Sequence, residues 1–393
     1  MSIDIIYHYW LPLLAGLTGT FIVLGIYRAF YISTQTGGRV IPEQQLAGRK
    51  KELTRLVRQI LRGQSAAIIS PFSDDRTKLL DYLRSENPEH RTNLYGDKAN
   101  RLIFPYLDIS TLEEQCSPAL FWEEALKPVE DKIIAGETSD ALSQAYKTFQ
   151  DKKFDYFYLD KLFAQMRVDD WQLVLMLDRF DLLQHCPLLY TQKFLGSLRT
   201  LASSRSDTPL TLVISGNIPL NQIHKEFKEY FNSKGSPFLN FIEPGEITLG
   251  ALSETEIDEL LNQAEHKFDD GERRFLKEMT GGHPYLLGYA ATLLWDAHEN
   301  KEPNPIQSTE KAFSDRVKGM LNNIVQSWHP NICKAFCLVV QKRDDVSHFK
   351  NELADLEKQG FVIQDKESGE WRIRARVFAD FVTDKTEQEL CEK

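Results

Sequence analysis

The run LVLML, at residues 173–177, is apolar at every position. A strand with one face in solvent would carry a polar residue at every second place, so this run predicts a central strand covered on both faces. Three further apolar runs, separated by amphipathic stretches of helical spacing, also predict strands. They are AAIIS, RLIFPYLDIS and PLTLVISGN. Strands that alternate with helices predict an α/β fold with a parallel sheet and helices on both faces.

The first 31 residues have a different character from the rest of the chain. No charged residue occurs from Ile5 to Tyr27, and a helix of that length crosses a hydrocarbon layer of about 30 Å. Basic residues are concentrated after this segment, whereas only Asp4 precedes it and His8 lies near its start, which places the C-terminal side in the cytoplasm. A cleaved signal peptide is the alternative, although no basic residue precedes the run. We predict a transmembrane helix at residues 5–31, a single-pass cell-membrane location and contact with membrane lipid.

The remaining sequence divides by its patterns. A polar stretch with two glycines and a proline predicts a linker after the anchor. The alternating pattern then gives way to a helical one, in which Ser253 and Glu256 have the spacing of a capping box. A helix ended by Gly360, two short strands around Gly369 and a last helix predict a winged helix. The predicted units are the linker, an α/β core, a helical lid and a C-terminal winged-helix domain, at residues 32–45, 46–250, 251–311 and 312–393.

The segment after the first predicted strand has the place of a phosphate-binding loop, whose pattern is G-x-x-x-x-G-K-[S/T]. The corresponding residues are Ser70, Pro71, Phe72, Ser73, Asp74, Asp75, Arg76 and Thr77. Thr77 fits as the magnesium-binding hydroxyl, and Arg76 keeps the positive charge of the lysine on a bulkier head. Asp75 replaces the second glycine with a carboxylate, which repels phosphate. The segment therefore lacks the glycines and the lysine that hold a phosphate.

The acidic partner of such a loop is also altered. Asp178 ends the LVLML strand, where an acid that orients magnesium belongs. Arg179 follows it in place of an activating glutamate, a loss for which Asp181 would compensate in part. The next predicted strand ends in a turn with Asn217, where a polar side chain often contacts the outer phosphate. If nucleotide binds, we expect ATP or ADP with Mg²⁺, Thr77 and Asp178 as metal ligands, and Asp178 and Asp181 as the catalytic residues.

The order of the motifs AGRKKEL, altered loop, LVLMLDRFD, LVISGN, ITLGALSETE and TGGHPYLLGYA resembles the AAA-like P-loop NTPases of the STAND class, signal-transduction switches that include bacterial defence proteins. The resemblance covers roughly residues 46–382, and TGGHPYLL is its most specific motif. It implies that Gly282, His283 and Pro284 contact nucleotide from the lid and that Arg49 lies near the base. The alternative is that GGHP is a turn that starts a buried helix. The candidate nucleotide-binding residues are Arg49, Ser70, Asp75, Arg76, Thr77, Asn217, Gly282, His283 and Pro284.

Charge argues against a general nucleic-acid binder. The formal net charge is −10, whereas such proteins neutralise phosphates with an excess of lysine and arginine. Arg372, Arg374 and Arg376 stand at alternating positions of a predicted strand in the winged helix, which would permit a local contact with DNA. The STAND resemblance instead implies that this module packs against the rest of the protein as an autoinhibitory unit. We therefore do not expect a nucleic-acid partner.

Five cysteines contain no C-x-x-C pair, and Cys333 and Cys337 have the spacing of one helix face. This number and spacing of cysteines disfavour a zinc site and indicate a reducing compartment for the bulk of the chain.

Three functions stay open at this point. The first is a membrane-anchored pseudo-ATPase that acts as a signalling or scaffold protein, which the composition of the loop favours. The second is an ATP- or ADP-dependent switch, in which Arg76 and Thr77 still hold the nucleotide. The third is a membrane-tethered DNA-binding regulator. A partner protein is expected for the first two, and the spacing of Ala15 and Gly19 in the anchor would allow a homo-oligomer.

Overall fold

The computed structural model describes residues 48–203, 209–231, 239–264, 266–383, 385 and 387–391. The predicted transmembrane helix at 5–31 and the linker at 32–45 lie outside these residues. Among the helices within the described ranges, none is both long and apolar enough to cross a membrane.

A six-stranded sheet forms the centre of the first half, and its described strand pairs are all parallel. Its strands are β1 (Ala66–Ile69), β2 (Leu102–Ile103), β3 (Tyr106–Asp108), β4 (Gln172–Asp178), β5 (Leu210–Gly216) and β6 (Glu246–Thr248). Their order is β2, β4, β5, β1, β6, with β3 also paired to β4. Pro105 separates β2 from β3, since proline has no N–H to donate to the ladder. The predicted parallel α/β sheet is confirmed.

Helices cover both faces of this sheet. They are α1 (Lys50–Leu61), α2 (Ser73–Leu83), α3 (Pro88–Tyr95), α4 (Pro118–Ala125), α5 (Lys127–Ile134), α6 (Asp140–Asp151), α7 (Tyr156–Val168), α8 (Gln192–Ala202) and α9 (Leu220–Tyr230). Leu173, Leu175 and Leu177 of β4 join the core that contains α4 to α9, while Val174 and Met176 join the core on the other face, against α1 and α2. Successive strand residues point to opposite faces, which explains why this run is apolar throughout.

The second half is mainly helical. It contains α10 (Glu254–Asn262), α11 (Asp270–Thr280), α12 (Pro284–Glu299), α13 (Pro305–Ser327), α14 (Pro330–Val340), α15 (Lys350–Lys358), β7 (Val362–Gln364), β8 (Trp371–Ile373), α16 (Arg376–Thr383) and α17 (Glu387–Cys391). Strands β7 and β8 pair in antiparallel fashion. Helix α10 begins with the predicted capping box of Ser253 and Glu256. Helix α13 crosses the predicted boundary at 311/312, and a single hydrophobic core extends from Leu252 to Leu390.

Three cysteines meet in this half. Cys333 and Cys391 form a disulfide that ties α17 to α14, and the Sγ atom of Cys337 lies 3.9 Å from that of Cys391. The cysteine spacing showed no sign of this bond, because the two bonded residues are 58 positions apart.

The three arginines predicted to alternate on one strand lie on different elements. Arg372 is exposed in β8, but the strand ends at Ile373 and Arg376 begins α16. Arg374 turns inward, and its guanidinium donates to the backbone oxygens of Gly281 at 2.9 Å and of Leu252 at 2.6 Å. The expected basic strand is therefore wrong, since Arg374 joins the C-terminal elements to the lid.

Gly360, between α15 and β7, is a point where the C-terminal elements closely approach the segment that connects β6 to α10. Its φ is +82°, and a Cβ added there would lie 2.5 Å from the backbone nitrogen of Ala251. We expect Gly360→Ala to lower the free energy of unfolding by about 2–5 kcal/mol, from the left-handed backbone together with the clash. Urea denaturation of both proteins would measure this difference.

The matched control is Gly369→Ala. Gly369 has a φ of +72° but nothing within 4 Å of the added Cβ, so only the backbone cost of about 1–2 kcal/mol remains. Equal losses for the two variants would contradict the close contact at Gly360.

Candidate functional site

The strand order places the candidate site at the carboxyl end of β1. The chain leaves β1 for β2 and β3 on the far side of β4, returns through β4 to β5 beside β1, and later adds β6 on the other side of β1. In open parallel sheets, ligands bind in the crevice at such a change of direction. Ser70, Asp178 and Asn217 follow or end β1, β4 and β5, so the fold brings these sequence-predicted residues together.

The segment between β1 and α2 is shorter than a phosphate-binding loop. Helix α2 begins at Ser73, which leaves only Ser70, Pro71 and Phe72 outside regular structure. The loop depends on backbone N–H groups that surround phosphate in front of a helix. Here the last five motif positions are helical, and the first turn of α2 carries Asp74 and Asp75.

Arg76 occupies the interior of the site. Its side chain is fully buried, and its Nη1 donates to the backbone oxygen of Ser70 and to Asn217 Oδ1 at 2.8 Å. Its Nε lies 3.7 Å from Asp178 Oδ1. Burial lowers the pKa of Arg76, while the carboxylates of Asp178 and Asp181 raise it, and the group keeps its proton. A cation of this chain therefore lies at the ends of β1, β4 and β5.

Asp178 is bound on both carboxylate oxygens. Oδ2 accepts from Thr77 Oγ1 at 3.2 Å and from the Tyr106 hydroxyl at 3.0 Å. Oδ1 accepts from the Arg179 N–H at 2.9 Å and from Ser215 Oγ. Burial and the nearby Asp178 raise the pKa of Tyr106, so its hydroxyl remains a donor. Thr77 and Asp178 carry oxygen atoms of the kind that bind Mg²⁺, but here they are hydrogen-bonded to each other. The positive charge of Arg76 beside Asp178 would repel a divalent cation, so these residues do not fit one.

Arg179, which replaces the activating glutamate, and Asp181, which the sequence predicts to compensate for it in part, both bind other residues of the chain. Arg179 has a φ of +55°, and its guanidinium contacts Asp108 at 3.7 Å and Ser110 Oγ at 2.9 Å, away from Asp178. Asp181 accepts from the backbone and side-chain nitrogens of Asn217 at 3.2 Å and 2.9 Å. Asp181 thus positions the Asn217 amide that Arg76 contacts.

Phe72 extends from the short loop into the lid. Its ring is buried, with centroid distances of 4.8 Å to His283, 6.1 Å to Tyr285 and 6.4 Å to Phe361. It belongs to the hydrophobic core of the second half, not to either core of the sheet. The loop is therefore held between the two halves of the chain.

The lid motif makes contacts within the protein. His283 is fully buried, and its Nε2 is 3.1 Å from the Gly360 oxygen, to which it donates. Burial, reinforced by Arg374 and Arg49, lowers the pKa of His283 to about 3, so the ring is neutral at physiological pH. The Gly282 oxygen accepts from the Leu252 N–H at 2.9 Å. Pro284, the next motif residue, is the first residue of α12.

Arg49 lies beside the loop. Its Nη2 donates to the Gly250 oxygen at 2.6 Å and lies 3.7 Å from Asp75 Oδ2. Burial raises the pKa of Asp75 to about 6, although Arg49 and Lys78 act in the opposite direction. The structure thus pairs two predicted nucleotide-binding residues with each other.

Sequence reasoning missed three residues of the site. Phe72 contacts residues about 200 or more positions away in the sequence, and Arg374 contacts residues about 90 or more positions away. No local sequence pattern marks either residue. Tyr106 is the first residue of β3, and its hydroxyl reaches Asp178. The break at Pro105 was the available signal, because it places a new strand beside β4.

The fold and the site together define a class. A parallel sheet with a loop, an acid and an amide at the ends of three adjacent strands is the arrangement of a P-loop NTPase-like protein. A family model for the AAA-like domain matches residues 149–383, more than half of the chain. The chain therefore belongs to the AAA-like domain family. The matched residues include Asp178 but begin after the 70–77 segment.

Solved structures that are similar to this chain include the following two. A Walker-type ATPase of Pyrococcus abyssi has a TM-score of 0.56 at 13% identity, over 85% of this chain and 95% of that one. The ORC2 protein of Aeropyrum pernix, solved as ADPNP–ADP complexes, has a TM-score of 0.47 at 13% identity, over 88% of this chain and 95% of that one. The first likeness supports the fold. No curated protein matches the sequence.

The buried Asp75 predicts a pH dependence of stability. Its pKa rises from 3.8 to about 6 on folding, so the folded chain binds more protons than the unfolded chain between these values. Protonation of Asp75 therefore favours the folded state by an amount on the order of 3 kcal/mol. This stabilisation is fully present below pH 3.8 and is lost as the pH rises through about 6. We expect Asp75→Asn to remove it and to stabilise the protein at pH 7, as measured by denaturation across pH.

Asp74→Asn is the control, since Asp74 is the exposed neighbour on the same helix turn. It should leave the slope of the pH profile unchanged. If Asp74→Asn flattens the profile and Asp75→Asn does not, the assignment to Asp75 is wrong.

Proposed function

We propose that this chain is a membrane-anchored AAA-like pseudo-ATPase, which acts by interaction as a signalling or scaffold protein. One observation carries the proposal: the buried guanidinium of Arg76 occupies the end of the sheet where a nucleotide phosphate would lie. The segment that precedes residue 48 supplies the anchor in this proposal, as the sequence predicts.

Charge and space both oppose phosphate at this position. Arg76 would be a favourable neighbour for an anion, but its charge is already shared between Asp178 and the acceptors on Ser70 and Asn217. Asp75, 8% exposed in its side chain, places a second carboxylate beside the loop. A phosphate would have to displace these internal contacts and also approach Asp75.

Arg179 stands in the place of an activating acid, and this supports a lack of ATP hydrolysis. A nucleotide hydrolase needs a group that orients or deprotonates the attacking water. Arg179 cannot accept a proton, and Asp181 is committed to Asn217. We therefore expect no ATP turnover even if a nucleotide were to enter.

The C-terminal elements suit internal packing. In this proposal, helices α14, α15 and α16 with the β7–β8 hairpin form the winged helix that the sequence predicts. Within it, Arg374 binds backbone oxygens of the lid, and Arg376 lies 2.9 Å from Glu310. Arg372 is exposed. These contacts favour an autoinhibitory unit over the DNA-binding regulator.

The membrane role has one supporting surface. Helix α1 follows the proposed anchor and linker in the sequence, and its exposed basic residues are Lys50, Lys51, Arg55 and Arg58, with Arg62 directly after its last residue. Basic residues near an anionic membrane surface are attracted by about 1 kcal/mol each. We propose that this face contacts lipid headgroups, with the globular part in the cytoplasm. The STAND-like motif order supports the proposed signalling role, for which bacterial defence is one setting.

The nucleotide-dependent switch is the second candidate. Two donor atoms of Arg76, Nε and Nη2, have no hydrogen-bond acceptor in the described part of the chain. A phosphate oxygen of ATP or ADP would supply one, if Phe72 left the lid core and the loop reopened.

Nucleotide binding separates the two candidates. We expect the full-length protein to show no saturable binding of Mg-ATP by equilibrium dialysis, no phosphate release and no change of melting temperature, because Arg76 holds the site. Binding at micromolar concentration that is lost in Arg76→Ala would instead establish the switch. Lys78→Ala, which removes an exposed charge from the same helix, is the control.

The Arg76→Ala variant also tests how much Arg76 contributes to the stability of the fold. Removal of one partner from a buried charged cluster costs about 3–5 kcal/mol. We expect Arg76→Ala to be destabilised by this amount and Lys78→Ala by less than about 0.5 kcal/mol, as measured by urea denaturation.

The inward role of Arg374 has its own test. Arg374→Ala removes two hydrogen bonds from a charged donor, and we expect a loss of about 2–4 kcal/mol. Arg372→Ala, on the exposed strand position, should change stability by less than about 0.5 kcal/mol. Salt-sensitive duplex DNA binding by the full-length protein that needs Arg372 would contradict the packing role.

A further inference from the structure

A second group of reactive side chains lies in the lid, and its residues take no part in the loop site. His266 is in the connection between α10 and α11, Glu272 is in the first turn of α11, and His298 is in the last turn of α12. We propose that these three residues bind one divalent transition-metal ion, with Zn²⁺ as the preferred ion.

The ligand atoms already converge. His298 Nε2 lies 2.5 Å from Glu272 Oε1, and one ligand atom from each of the three residues lies within 4.8 Å of the other two. With zinc bonds of about 2.0–2.1 Å in a tetrahedron, ligand atoms are about 3.4 Å apart. Side-chain shifts of around an ångström at His266 and His298 therefore produce a coordination geometry.

Glu272 is held in place by its neighbour. The residue is buried, at 7% exposure, and its Oε2 accepts from the Asp269 N–H at 2.8 Å in the capping box of α11. This leaves Oε1 directed at His298. A carboxylate fixed by a backbone donor is the support that metal ligands commonly have.

The ring of His266 is also positioned. Its centroid lies 4.9 Å from each of Phe268, Trp295 and His298, edge-on to the first two and tilted against the third. An ion pair between His298 and Glu272 would account for two members of the group. It would not account for a third titratable ring packed beside them.

The donor set defines the class of ligand. Two imidazole nitrogens and one carboxylate oxygen suit Zn²⁺ and its first-row neighbours, whereas Mg²⁺ and Ca²⁺ prefer oxygen donors. Three protein ligands leave a fourth position for water. The bound ion would join the α10–α11 connection to α11 and α12, and so stabilise the lid.

Cobalt is a suitable probe because its visible bands report the geometry and ligands of a zinc site. The full-length protein, stripped with a chelator, would be titrated with Co²⁺ and then with Zn²⁺ as competitor. We expect one equivalent of tetrahedral Co²⁺, displaced by Zn²⁺, together with a rise in melting temperature when Zn²⁺ is added. A spectrum without a thiolate-to-cobalt band would show that the ion is not bound by the cluster of Cys333, Cys337 and Cys391.

Substitutions complete the test. We expect His266→Ala, His298→Ala and Glu272→Gln each to weaken binding by about 10- to 100-fold or more, since loss of even an outer partner has such an effect. Glu272→Gln keeps an oxygen for the Asp269 N–H, so the helix cap is retained. His348→Ala, at an exposed histidine outside the lid, should bind as the unmodified chain does. Failure of the unmodified protein to bind Co²⁺ or Zn²⁺, or full binding by all three site variants, would overturn the proposal.

Discussion

A guanidinium that is excluded from water must find its acceptors inside the protein, because an uncompensated buried charge costs several kcal/mol. Arg76 finds them on the residues that follow or end three adjacent strands: the Ser70 oxygen, Asp178 and the Asn217 amide. Asp181 in turn holds Asn217. In the proposed pseudo-ATPase, the same contacts that join these strand ends occupy the position that a nucleotide phosphate and its cation would need.

The short loop and the buried arginine support each other. Asp74 and Asp75 stand in the first turn of α2, where carboxylates interact favourably with the partial positive charge of the helix end. Without glycines, nothing favours an open loop, and the helix therefore begins at Ser73. This start directs Phe72 into the lid core and Arg76 toward Asp178. Burial of Asp75 works against these gains, since it opposes ionisation of that carboxylate.

The sequence predicted the parts of this site that depend on local pattern. The strands, the position of Asp178 and its closeness to Thr77 follow from apolar runs and motif spacing. The conformation of residues 73–77 did not follow, because aligning them to a loop motif presumed a loop. Three-residue β6 is too short for a periodic signal. The inward turn of Arg374 depends on carbonyl groups about 90 or more positions away, and the disulfide to Cys391 depends on the packing of α17.

The place of Phe72 in the core of the second half has an evolutionary consequence. For the proposed pseudo-ATPase, a return to nucleotide binding would need glycines in the loop, a smaller residue at position 72 and a refilled lid core around His283 and Phe361. Each change alone either leaves a cavity or exposes a buried charge, so the intermediates would be less stable than the present protein. Descendants of this sequence are therefore expected to keep the closed form, and to diversify on the surfaces that surround it.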